Sequence, residues 1–175
     1  LPKHQGLDRM SPPQDDHDSE IRRGAQGDPL REWYANEVWG KRADDDDALF
    51  ENMSLQLFQA GLSWHMVLAR RDAFRKAFHG WSIDEVAEMG PDSVDRLVED
   101  ASIIRNRMKI EACISNAQVV QDIRGEHGSF RDWFYDVLEG DDLAPLQKSL
   151  RARFKFMGPE IARMWLLASG RIRSE

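Results

Sequence analysis

From Asp28 onward the chain carries a succession of helix starts and stops and nothing that reads as a strand. Asp28-Pro29-Leu30 pairs an N-cap residue with proline at the first helical position, and Gly40 closes that segment. Asp44 to Asp47 place negative charge ahead of Ala48-Leu49-Phe50, where the helix macrodipole favours it. Ser82 and Glu85 have the spacing of a capping box, and Pro91 opens a further segment. Helices are therefore expected from Asp28 to Gly40, from the acidic run to Phe58, over Ser63–Phe78, from Ser82, and from Pro91 to near Ala101. Others follow over Arg105–Arg124 (broken by Gly125 and Gly128), Phe130–Leu138, Leu146–Arg151 and Glu160–Ala168. No alternating apolar pattern, Asn-Gly hairpin or internal repeat interrupts this series, so the expected fold class is all-α.

A chain of 175 residues with 41% hydrophobic content can bury one sizeable core, so residues 28–175 are expected to form one helical domain. Residues 1–27 are polar, without periodicity, and read as an N-terminal tail. A net charge of −7 argues against a general basic coat but leaves room for a local basic face. The single cysteine, Cys113, allows no disulfide framework, and no apolar run or leader pattern suggests a membrane or export; a cytoplasmic protein is expected. The histidines show no metal-ligand spacing, and no lysine sits in an obvious imine-forming setting.

Four segments carry possible chemistry. In Leu55 to Trp64 an apolar helix runs into Gln59-Ala60-Gly61-Leu62-Ser63-Trp64. Its plain reading is a helix–turn–helix in a core, with Gly61 in the left-handed conformation and Trp64 buried. The same groups could instead stack on an extruded base, pair its edge through an amide and fill the gap left in the duplex. Trp33, Tyr34 and Trp39 make a core corner or the walls of a planar pocket. Leu97 to Ile110 has helix–hairpin–helix spacing, with Arg105, Arg107 and Lys109 at the second helix start, where backbone N–H groups and cations bind phosphate; a solvated turn is the alternative. Lys148 to Arg173 holds seven basic residues, Lys155 among them, against one acid, Glu160, a segregation that suits a phosphate-facing surface in an acidic chain.

These segments occur in the order and spacing of the 3-methyladenine DNA glycosylase I family, within the helix–hairpin–helix glycosylase superfamily. The resemblance runs from Asp28 to about Gly170 and is most specific over Gln59 to Trp64; further matching stretches are Trp39-Gly40, Leu49-Phe50-Glu51, Ala77-Phe78-His79, Ile103-Ile104-Arg105, Asn116-Ala117 and Phe154-Lys155-Phe156. It implies a helix–hairpin–helix glycosylase fold and a DNA repair enzyme that flips alkylated purines such as 3-methyladenine out of double-stranded DNA. The N-glycosidic bond is then hydrolysed without a covalent intermediate or lyase step. By resemblance, Gln56 occupies the pocket, Tyr34 and Trp64 contact the base, Trp39 lies close by, and Gln59 and Leu62 sit at the lesion gap beside Gly61, with Leu62 as wedge. The hairpin cations Arg105, Arg107 and Lys109, with Lys155, would grip the DNA. No cofactor, membrane or obligate protein partner is implied.

Three departures qualify the resemblance. The family's zinc ligands come from both ends of its domain. Here Ala35 stands at the histidine position, no N-terminal cysteine is present, and the sequence given stops at Glu175, where the C-terminal ligands would begin. No metal is expected, and the two ends are either joined by packing or left looser. Ser102 and Met108 stand where the family usually has glycine in the hairpin. Most consequential, Gln56 stands where the family carries a glutamate. An amide can still pair with adenine's edge but cannot be a general base. At an effective dielectric of about 20, one lost charge contact at about 4 Å is on the order of 4 kcal/mol before desolvation offsets it. A base alkylated at N3 already carries positive charge and leaves neutral, so the expectation is a glycosylase of weakened or shifted specificity; the alternative is a catalytically silent DNA-binding relative.

Overall fold

The start signals at Asp28, Ser82 and Pro91 each open a helix in the computed structural model, which describes residues 17–173. In chain order the helices are α1 (His17–Ala25), α2 (Pro29–Glu37), α3 (Asp46–Gln59), α4 (Trp64–Leu68), α5 (Arg71–Ala77), α6 (Ile83–Ala87), α7 (Pro91–Leu97), α8 (Arg107–His127), α9 (Phe130–Asp132), α10 (Leu143–Arg153) and α11 (Pro159–Ala168). A 3₁₀ turn spans His79–Trp81 and a π turn spans Trp133–Val137. There is no strand among the described residues, and none of their helices is long and apolar enough to cross a membrane.

The caps work as their residue types demand. The Asp28 carboxylate accepts from the backbone N–H of Leu30 and Arg31, Asp45 from Ala48, Ser82 from Glu85, and Asn106 from Lys109. Between its caps, α3 is apolar nearly all round, with Leu49, Phe50, Met53, Leu55, Leu57 and Phe58 buried, and it packs against α4, α8, α11 and the 3₁₀ turn. Such a helix belongs at the centre of a core. Phe58 and Phe74 pack with ring centroids 4.6 Å apart, and Phe78 stacks on Trp81 at 4.5 Å. A second aromatic group, Phe130, Phe134, Phe154 and Trp165, binds the π turn to α10 and α11. Each fully buried phenylalanine contributes about 1.5–3 kcal/mol of transfer energy.

Four boundaries differ from expectation. Residues 17–25, expected within a polar tail, form α1, whose Ile21 and Ala25, four positions apart, meet the core on one face. Residues 1–16 lie outside the described residues. The helix expected over Ser63–Phe78 breaks between α4 and α5, where the Arg70 guanidinium donates to the Met66 carbonyl. The tertiary pull on α5 is the bidentate pair from Arg75 to Glu51 of α3 (2.9 and 3.1 Å), which no local pattern announces. Helix α7 stops at Leu97, and α8 continues through Gly125 to end at Gly128, where φ is +81°.

Segments near the two ends of the described residues meet directly. The Gly40 N–H donates to the Ala168 carbonyl at 2.9 Å. Gly170 lies so close that a Cβ there would stand 2.6 Å from the Gly40 oxygen. The Tyr135 hydroxyl accepts from the Ala43 N–H and donates to the Ser169 carbonyl, relaying the two segments through one buried oxygen.

Lys109 departs furthest from its expected place. It is only 6% exposed, and its ammonium donates to the carbonyls of Phe58 (2.9 Å) and Ala60 (2.8 Å) at the C-terminus of α3. The last turn of a helix leaves carbonyls without intrahelical partners, and a cation is favoured there. Lys109→Met would orphan both oxygens, and an unfolding free energy lower by about 2–4 kcal/mol is expected in urea titrations; a loss under about 1 kcal/mol would show that water replaces the ammonium.

Candidate functional site

The last two turns of α3 align Asn52, Gln56 and Gln59 at positions i, i+4 and i+7, one face of a helix. Gln56 is 2% exposed. Its Nε2 donates to the Tyr34 hydroxyl at 3.0 Å and to Asn52 Oδ1 at 3.2 Å, while its Oε1 is buried with no hydrogen-bond partner among the described residues. An orphaned buried acceptor costs about 1–3 kcal/mol, so its retention calls for a reason outside stability. Burial pushes the Tyr34 phenol far above its ordinary range, outweighing the Gln56 hydrogen bond. Tyr34 is thus neutral near pH 7, and the groups bonded to Gln56, a phenol and an amide, carry no charge.

The aromatic residues converge here. Tyr34 stacks on Trp64 with centroids 4.6 Å apart and planes at 23°, and Trp39 meets Tyr34 edge-on at 6.1 Å. Their register is set by the Asp28 carboxylate, which caps α2 and also accepts from His65 Nδ1 of α4 at 2.8 Å. Partial desolvation pushes the Asp28 carboxyl up, but the His65 and backbone N–H hydrogen bonds outweigh it and hold the pKa below the ordinary value. The turn between α3 and α4 has Gly61 at φ +78°, where glycine is favoured. Across it the Leu62 N–H donates to the Gln59 carbonyl at 2.8 Å, and Gln59 Nε2 donates back to the Leu62 carbonyl at 2.7 Å. Gln59, expected at the lesion gap, therefore also braces the turn that presents Leu62, which is half-buried at the tip.

Gln56 separates two cavities. One, about 470 Å³, is bounded by Gln56, Gln59, Gly61 and Trp64, with α1 and α11 completing it; an aromatic wall with a few polar groups is the usual make-up of a small-molecule site. The other, about 350 Å³, lies by Tyr34, Asn52 and Trp33. Along it Glu51 binds Arg75 at 2.9 Å and Arg71 at 3.7 Å, and Arg71 also lies over the Trp33 ring.

The hairpin between α7 and α8 is anchored by buried Ile103 and by Asp100, whose carboxylate accepts from the Ser102 hydroxyl and N–H. Arg105 is exposed. Arg107 is exposed but paired with Asp95 at 2.9 Å and Glu111 at 3.7 Å. Lys109 does not join them: its ammonium is engaged inside the protein, where burial lowers its pKa, partly offset by Cys113. Lys155 is exposed, on a segment clamped to α8 by a two-way bond between its backbone and the Asn116 amide. Of the C-terminal cations, Arg171 is a structural brace, donating to the carbonyls of Phe134, Leu138 and Gly140. Cys113 is inert, its thiol pushed up to about 12 by burial.

Sequence reasoning missed Asn52, although its i, i+4 relation to Gln56 was legible, and missed the contributions of α1 and α11, for which no local signal exists. The residues present do not fit the zinc site of the resemblance: Ala35 is buried and apolar, and no group of three or more His, Cys, Asp or Glu among the described residues is arranged to hold a metal.

Comparison with known proteins adds to this geometry. A sequence model described as methyladenine glycosylase matches residues 24–151. The DNA-3-methyladenine glycosylase 1 of Escherichia coli is 35% identical over 161 residues, covering 82% of this chain and 86% of that protein. A crystal structure of a Tyr→Phe variant of 3-methyladenine DNA glycosylase I in complex with 3-methyladenine superimposes with TM-score 0.78 at 30% identity, covering 85% of this chain and 90% of the other. A Glu→Gln mutant of the Staphylococcus aureus glycosylase I gives TM-score 0.79 at 30% identity, covering 87% and 91%.

The Tyr34–Gln56 pair is expected to contribute little to stability. Replacing both partners of a buried hydrogen bond by apolar groups of similar shape is nearly neutral, and here it also removes an orphaned acceptor. Tyr34→Phe combined with Gln56→Leu should therefore unfold within about 1 kcal/mol of wild type in urea; a loss above about 3 kcal/mol would make the pair a structural element.

Proposed function

The chain belongs to the methyladenine glycosylase family, and from that premise we propose that it is a DNA base-excision repair glycosylase that releases alkylated purines of the 3-methyladenine kind from double-stranded DNA. The observation that carries this reading is the buried, unpartnered Oε1 of Gln56, a residue that lines, together with Trp64, the cavity at the Gln59–Trp64 turn. The replaced tyrosine and the replaced glutamate in the two glycosylase structures above carry numbers 22 positions apart, the separation of Tyr34 and Gln56 here.

In this reading the flipped base enters the cavity and stacks on Trp64, and an N–H donor on its edge satisfies Gln56 Oε1. The Gln56 Nε2 bonds to Tyr34 and Asn52 hold that oxygen in place. As the N-glycosidic bond breaks, its electron pair passes to the base and neutralises the charge that alkylation at N3 had placed there. Water bonds to the sugar carbon and loses its proton to solvent. No side chain of the cluster acts as base: Gln56 has no basic group, and the Tyr34 phenol is held protonated. The reaction is monofunctional, without lyase chemistry. Leu62 at the turn tip fills the vacated space, while Arg105 and Lys155, with the hairpin backbone, hold phosphates. No cofactor or obligate protein partner takes part, and a cytoplasmic site of action suits the single buried thiol.

The missing carboxylate favours a second element of the reading. A neutral Gln56 lacks the attraction, on the order of 4 kcal/mol at about 4 Å before desolvation, that a carboxylate at its position would exert on a cationic base. Turnover on 3-methyladenine is thus slower than a carboxylate pocket would give, and discrimination between cationic and neutral alkylated purines is weaker.

The test is base release, followed by liquid chromatography, from DNA treated with a methylating agent. Wild type is expected to release 3-methyladenine slowly, and Gln56→Glu at least roughly tenfold faster, a barrier change of about 1.4 kcal/mol. No release by either protein, with retained binding to abasic duplex, would instead identify a catalytically silent DNA-binding member of the family.

A further inference from the structure

The cavity beside Trp64 is only partly built from residues inside the stretch that the methyladenine glycosylase sequence model matches. Gln56, Gln59 and Trp64 lie inside the matched stretch 24–151, whereas Ile21 of α1 and Ile161 and Met164 of α11 lie outside it. All three of these side chains are apolar and partly buried against the core, so they can meet a ligand by shape and dispersion but not by hydrogen bonding. Helix α1 is fixed in place rather than merely adjacent. Ala25 is buried, α1 packs along α2, and Gly24 leaves room for the guanidinium of Arg31, whose Nη2 would lie 2.6 Å from a Cβ at that position. Arg31 itself reaches the same cavity.

Resting on the glycosylase reading, we propose that Ile21, Ile161 and Met164 form the apolar wall of the base cavity and determine which alkyl substituents on the purine this protein accepts. The division of labour follows from chemistry. The amides of Gln56 and Gln59 can read only the polar edge of a base, and Trp64 only its π face. A substituent on N3 is apolar, and its size is sensed by whatever apolar surface it abuts. One methylene gained or lost in such a pocket changes selection by about 10–200-fold. Gln56 carries no charge, and the cavity's one carboxylate, Glu160, is bound to Arg163 at 2.9 Å, so fit against this wall weighs more in selection. The three wall residues are specificity-determining; bond cleavage does not depend on them.

The experiment uses the full chain and two free bases as probes, 3-methyladenine and 3-benzyladenine, with binding followed by quenching of tryptophan fluorescence. Wild type is expected to bind both, favouring the methyl compound. Ile21→Ala and Met164→Ala should each shift the benzyl-to-methyl affinity ratio by about tenfold or more towards the larger base. Ile21→Val should stay close to wild type. Affinity for an abasic-site duplex should change less than about twofold in every variant, a constancy that a general loss of structure would not leave. An unchanged ratio in both alanine variants, with wild type binding the bases, overturns the wall and leaves the glycosylase reading intact. Wild-type protein that binds neither base overturns both.

Discussion

The ammonium of Lys109 on the carbonyls of Phe58 and Ala60 ties together the two parts of the molecule that must act in concert. Helix α3 ends where Gln59, Gly61 and Leu62 form the turn, and its final carbonyls would otherwise face the interior unpaired. Lys109 stands at the start of α8, immediately after the hairpin that presents Arg105. One buried cation therefore fixes the hairpin against the turn that lines the Trp64 cavity. Burial lowers its pKa, but the two carbonyls and the negative end of the α3 dipole favour the charged form. In the proposed function, DNA held at the hairpin would meet a turn that this contact keeps in register with it.

The base cavity obeys the opposite logic. Its centre is neutral and incompletely satisfied: a phenol held protonated, two amides, and one carboxamide oxygen left without a partner. Stability alone would not select such a group, whereas a ligand that supplies the missing donor would. A glutamine in place of glutamate keeps the geometry of an acceptor and gives up its charge. In the proposed function, binding would rely on stacking over Trp64 and on fit against the remaining walls, to which α1 and α11 contribute.

Much of this was legible in the chain. Caps at Asp28 and Ser82, the proline opening α7 at Pro91, and the absence of alternation were sufficient for an all-α fold, because they act locally. The run from Gln59 to Trp64 lines a cavity, and Tyr34, Trp39, Gln56 and Trp64 pack together beside it. What escaped depends on tertiary partners. Lys109 and Arg107 look alike in sequence, yet one side chain is turned inward to helix carbonyls and the other outward to Asp95. Arg171 reads as one more cation of a basic surface and instead ties off the carbonyls around the π turn. The division of α4 from α5 has no glycine or proline to mark it and accompanies the pairing of Glu51 with Arg75. Helix α1 has only Ile21 and Ala25 as its apolar signal, too little to outweigh a polar composition.

The account stands on the claim that Trp64 and Gln56 Oε1 together receive the base. A crystal structure of the protein with bound 3-methyladenine tests this directly. The base is predicted to lie against the Trp64 indole with a donor on its edge within hydrogen-bond distance of Gln56 Oε1. A base found instead among Trp33, Glu51 and Arg75 on the other side of Tyr34, or bound with Gln56 Oε1 still unpartnered, would contradict it.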